Sequence, residues 1–178
     1  MHKNLRYCMK FFDIFQALAT GVGRLRGLSL LIALALLCAH AQAWGQTAEG
    51  APLTDLPRAA LVIGGRSVEV QVAATPEARQ TGLMFRASLP EDEGMIFVHD
   101  SLRVRCMWMQ NTLVPLTAAF LDENGSILGF ADMEPLNTQS HCSPGPAAFV
   151  LEMNRGWFAR HGVVAGQRID LTGIGARP

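Results

Sequence analysis

Residues 61–72 read Leu-Val-Ile-Gly-Gly-Arg-Ser-Val-Glu-Val-Gln-Val. Two β-branched runs enclose a Gly-Gly pair, which is the signature of a β-hairpin closed by a tight turn. In the second run Glu69 and Gln71 alternate with Val68, Val70 and Val72, so one face of that strand is expected to be wet. Nothing here has helical period. The reading of the remaining chain works outward from this hairpin.

Downstream, Thr75-Pro76-Glu77 predicts a short helix: Thr caps, Pro suits the first helical position, and Glu favours the positive end of the helix dipole. Gly82 ends that helix after about two turns. Pro90 to Gly94 reads as a turn, and Met95–Val98 as a strand. Arg105–Met109 and Leu116–Leu121 read as two further strands, separated by Asn111 and Pro115. Asp122-Glu-Asn-Gly125 is a strong turn signal leading into a strand at Ile127–Phe130. The Pro/Gly-rich run from Pro135 to Pro146 reads as a loop, and Ala148–Leu151 as a buried strand. Asn154 is expected to cap one helical turn through Trp157 and Phe158, closed by Gly162, before a last strand at Ile169–Leu171. Seven to nine short strands with two short helices point to a mainly β sandwich or barrel rather than to βαβ units.

Upstream, residues 44–58 are small, polar and Pro-containing, and read as a flexible linker between residues 1–43 and a globular domain over residues 59–173. The first 43 residues have a cationic stretch, with Lys3, Arg6, Lys10, Arg24 and Arg26 against Asp13 alone. An apolar run from Leu28 to Ala39 follows, and then Ala41 and Ala43 at alternating spacing. That order predicts a secretory signal peptide cleaved after Ala41 or Ala43. The apolar run, about a dozen residues, falls short of the ~20 that a permanent helical span needs. An uncleaved anchor and lipid attachment at Cys38 are the alternatives, the second disfavoured by the bulky Leu37 before it. The expected location is therefore periplasmic or secreted, with no membrane span once the leader is removed.

The formal charge of the whole chain is zero, yet from Trp44 onward 10 Arg and no Lys face 14 acids. A weakly acidic body without clustered cations lacks what displaces counterions from phosphates, so nucleic acid is excluded as a partner. Two cysteines remain after the leader, Cys106 and Cys142. In an oxidising compartment an even pair reads first as a disulfide, with two free thiols or a soft-metal site as alternatives.

The stretches "GLMFR" (82–86), "GMIFV" (94–98), "MWMQNTLVPL" (107–116), "FLDENGSIL" (120–128), "DMEP" (132–135), "SPGPAAFVLEM" (143–153) and "GWFARHGVVAGQRI" (156–169) together resemble the domain of unknown function 192 family. The resemblance runs from about Val68 to Leu171, and Trp108 to Leu116 is its most specific piece. It implies a small prokaryotic protein, often secreted or lipid-anchored, with a mainly β sandwich related to jelly rolls and no established activity. Many members carry Lys where Gln110 stands here, which removes any role for a cation at that position.

Chemistry-bearing residues are few. Trp108, Asn111 and Thr112 lie where a strand gives way to a loop, and an aromatic face beside an amide and a hydroxyl suits a sugar ring or another small polar ligand. The competing reading puts Trp108 in the core and Asn111 in a turn. Asp122, Asp132 and Glu152 near strand ends offer a paired-carboxylate glycan hydrolase or a Ca²⁺ site if they converge. Glu152 is equally a candidate buried partner for Arg86. His99, His141, His161 and scattered methionines suggest copper handling, though core filling accounts for the methionines. No G-x-S-x-G, H-E-x-x-H or phosphate loop is present, so no catalytic set, metal or cofactor is assigned. The leading expectation is a non-catalytic extracytoplasmic binding or accessory domain whose ligand surface involves Trp108, Asn111, Thr112 and Asp132, with Arg86 and Glu152 as supporting polar groups.

Overall fold

The computed structural model describes residues 50–174. The expected leader and the first residues of the expected linker fall outside them. Eight strands and two short helices are formed in the order β1 (Arg58–Ile63), β2 (Arg66–Ala73), α1 (Pro76–Thr81), β3 (Glu93–Arg103), β4 (Cys106–Met107), β5 (Leu116–Leu121), β6 (Ile127–Met133), β7 (His141–Cys142), β8 (Ala147–Asn154) and α2 (Trp157–Arg160). A 3₁₀ turn follows at Thr172–Ile174. The fold is mainly β. Six strands make one sheet in the order β1-β2-β3-β8-β5-β6, β4 and β7 make a separate ribbon, and no closed barrel forms.

Local chemistry explains the elements that local sequence can specify. Gly64 and Gly65 both have positive φ, 58° and 77°, as the two-residue hairpin turn requires. Thr75 caps α1, its hydroxyl accepting from the Ala78 amide at 3.1 Å, with Pro76 in the first turn and Gly82 at the C-cap. Asp122 folds its own turn: its Oδ1 accepts from the Asn124 and Ser126 amides, each at 2.8 Å.

Four expectations are corrected. β2 and β3 pair in parallel, with α1 in the crossover between them, so one βαβ-like connection does occur. The expected strand Arg105–Met109 shrinks to Cys106–Met107, and its partner β7 lies inside the run read as a loop. Asn154 does not cap α2. Its amide nitrogen donates to the Leu89 and Pro90 carbonyls, and Gly156 occupies the N-cap. Ile169–Leu171 is not a strand; an isolated bridge, Ser126 with Arg168, and hydrogen bonds from Gly166 and Arg168 to the Ile127 and Asn124 carbonyls join that region to the start of β6.

The sheet is buried on both faces. On one face Val70, Ile96, Leu121, Leu151 and Trp157 belong to one apolar cluster; on the other, Leu83, Met95, Phe97, Phe120 and Val150 belong to a second. Strand alternation divides the side chains between them. Leu53 and Leu56, ahead of β1, pack against the second cluster. At Gly94 the sheet is too tight for a side chain: a Cβ there would lie 2.4 Å from the Met153 sulfur and 2.5 Å from the Glu152 carbonyl oxygen. That approach seats β8 against β3 at the residue that matters most for the site.

Candidate functional site

Glu152 sits mid-sheet on β8, opposite Met95 of β3 on one side and Ala118 of β5 on the other. It is the one acid in an otherwise apolar run, Ala147–Met153, and is only 4% exposed. Burial pushes its carboxyl up to about 8, so at neutral pH it carries its proton. The five ion pairs among the described residues use Glu69, Glu93, Asp92, Glu134 and Glu91. Glu152 is in none of them.

The expected Arg86–Glu152 pair is not formed, for a geometric reason. Gln71, Met95 and Glu152 occupy one row across β2, β3 and β8. Arg86 donates to Gln71 Oε1 at 2.5 Å and to the Leu53 carbonyl. Its anchor is thus two strands, about 10 Å, from Glu152. Burial lowers the guanidinium pKa, and Nε has no partner. Arg86 pins the segment before β1 instead.

Glu152 opens onto a small open cleft of about 80 Å³. One wall is the end of α1 and the turn after it, Arg79 to Met84. The other is β4 and its continuation, Cys106, Met107 and Trp108, with Phe97 and Thr112 completing the lining. Trp108 is 49% exposed and Thr112 is buried, its hydroxyl donating to the Gln110 carbonyl at 3.3 Å. Asn111 holds the wall rather than lining it. It takes φ 55°, its carbonyl accepts from the Phe85 amide at 2.8 Å, and its amide nitrogen lies 4.0 Å from the Met84 sulfur. The ribbon wall is clamped by the Cys106–Cys142 disulfide, S–S 2.03 Å, formed between directly opposed residues of β4 and β7.

Asp132 belongs elsewhere. It pairs with Thr117, one residue from Ala118, and so points to the opposite face from Glu152. Thr117 donates to Asp132 Oδ1 at 2.5 Å and accepts from the Gly156 amide at 2.9 Å, tying β5 and β6 to the start of α2. With Asp122 committed to its turn and Asp132 across the sheet, the three carboxylates do not converge. These three residues form neither the paired-carboxylate geometry nor the Ca²⁺ set. His141 lies opposite Met107, and Cys142 is locked in the disulfide. No group of three or more His, Cys, Asp or Glu that could hold a metal is found among the described residues.

Sequence reasoning thus named Trp108, Thr112 and Glu152, which the fold gathers, and Arg86 and Asp132, which it does not. It missed Arg79, Leu83, Met84, Phe97 and Met107 as lining residues. The Gly82 stop after a capped helix was the available signal for the wall at 82–84.

These features define a small mainly β domain with an unpartnered buried carboxyl facing an open cleft. A family model matches residues 59–171, and the chain belongs to that family, the domain of unknown function 192 proteins, described as an uncharacterized ACR. Two of the crystal structures that are similar illustrate this. One, from Sinorhizobium meliloti 1021 and described as a candidate transcription regulator, is 35% identical with a TM-score of 0.60, covering 65% of this chain and 93% of that one. The other, from Novosphingobium aromaticivorans DSM 12444 and of unknown function, is 27% identical with a TM-score of 0.59, covering 70% and 97%. No curated protein matches the chain.

Proposed function

We propose that this is an exported, non-catalytic domain that binds a small polar ligand in the cleft between α1 and the disulfide ribbon. The observation that carries the reading is Glu152, a buried carboxyl without a protein partner, set in the same cleft as the half-exposed ring of Trp108. Buried polar groups are almost always hydrogen-bonded, and a bound ligand is one way in which an exception is completed. A ring of apolar surface with one well-placed polar group is the usual make-up of a small-molecule site.

Export is supported by the leader-like order of residues 1–43 and by the disulfide, which persists in oxidising compartments. No helix among the described residues is long and apolar enough to cross a membrane. The regulator description of the Sinorhizobium protein finds no support in charge. Among the described residues Arg58, Arg66, Arg155 and Arg160 are each paired with an acid, and the residues from Trp44 onward carry more acids than arginines.

The test is a thermal-shift screen of the purified protein against sugars, polyols, amino acids and organic amines. A ligand at about 100-fold over its Kd is expected to stabilise the protein by about 2.7 kcal/mol. Trp108→Ala should abolish that shift without lowering the unliganded melting temperature. Binding that survives Trp108→Ala unchanged would place the site elsewhere.

A further inference from the structure

We propose that the ligand of this cleft is a small organic ammonium ion, its nitrogen paired with Glu152 and its apolar body lying against Trp108. This rests on the cleft being a binding site, as argued above, and names the chemical class it takes.

The polar and apolar lining decide the class. A sugar is held by several side-chain donors and acceptors, whereas the buried polar groups of this cleft are two. Thr112 already donates to a backbone carbonyl, which leaves the Glu152 carboxyl as the group in want of a partner. The partner a buried carboxyl gains most from is a cation with N–H donors, because charge-assisted hydrogen bonds are about twice as strong as neutral ones. The remaining surface is mixed, with Arg79, Gln80 and Thr81 as polar lining beside an apolar side that fits such a body. Trp108 presents an exposed aromatic face and Phe97 a second ring, while Met84 and Met107 supply polarisable thioethers.

Arg79 is the one cation among the residues lining the cleft with Glu152. β5 has no ionisable side chain, and β4 contributes only a disulfide cysteine and a methionine. β3 brings His99 further along, kept neutral by burial with its pKa lowered to about 4. α1 brings Arg79, whose guanidinium is turned to the Ala74 and Val98 carbonyls. The elevation of Glu152 has burial as its cause, with no charged neighbour contributing. An entering ammonium therefore meets a neutral acid, which gives its proton to solvent as the ion pair forms. No covalent bond is made or broken.

That proton is the signature to measure. With phenethylamine as probe, calorimetry at pH 6.5 in two buffers of different ionisation enthalpy is expected to show about one proton released per amine bound. Affinity should rise about tenfold per pH unit between pH 6 and 7 and level off above pH 8. Glu152→Gln, which keeps the shape and removes the ionisable group, should weaken phenethylamine at least tenfold with the melting temperature unchanged or raised. Glucose is the neutral comparison and should not bind. Glucose binding with no amine binding, or amine binding that is independent of pH and intact in Glu152→Gln, overturns the ammonium assignment while leaving the cleft as a site. If no probe of any class binds, the cleft reading falls with it.

Discussion

Glu152 and His99 together set how stability varies with pH. Glu152 titrates near 8 in the folded protein and near 4.5 when unfolded, so its contribution is complete below 4.5 and is lost as pH rises toward 8. The slope in that window is about 1.4 kcal/mol per pH unit. His99 works the other way. Its folded pKa is lowered to about 4 from 6.5, chiefly by burial and then by Arg105 and Arg79, so stability is lost as pH falls below 6.5. The two oppose each other between about 4.5 and 6.5 and leave Glu152 alone above that. Urea unfolding at pH 5, 6, 7 and 8 is expected to show a near-flat region followed by a decline, and Glu152→Gln should remove the decline. An unchanged decline in that variant would sink the assignment of the buried carboxyl. Glu152 was visible in the sequence as a lone acid in an apolar run, because burying a carboxyl needs such surroundings. The separation from Asp132 was not visible. It depends on which β5 residue each opposes, Thr117 or Ala118, and a one-residue difference in register reverses the face.

At the level of elements, the cross-strand disulfide and the β3–β8 contact are the points of greatest sensitivity. Cys106 and Cys142 are 36 residues apart, so removing the bond by Cys106→Ser with Cys142→Ser should cost about 3–4 kcal/mol on the chain-entropy estimate. Chemical denaturation of the variant beside the oxidised protein measures it. Gly94→Ala must displace both the Met153 side chain and the Glu152 backbone and is expected to destabilise by about 2 kcal/mol or more, read as a drop in melting temperature. Elements whose causes are local, the Gly64-Gly65 hairpin and the Thr75-capped helix, were legible residue by residue. β7 was not, since two residues in a Pro/Gly-rich run become a strand only through pairing with β4. Asn154 misled because a good capping residue also serves a carbonyl brought in from far away, here those of Leu89 and Pro90.

For the whole molecule, the leader reading predicts that protein isolated from cells of an exporting bacterium begins after Ala41 or Ala43. Intact-mass measurement distinguishes these, and a full-length mass would overturn the export proposal. The sheet order adds a constraint on how the chain reaches its native form. β8 is the last strand made, yet it lies between β3 and β5 and joins two halves that have no other strand contact within the sheet. Pairings so distant along the chain form slowly. Until the stretch around residues 147–154 has emerged, the earlier strands have no common sheet to enter, so a chain exported as proposed would reach the far side of the membrane before its sheet could close.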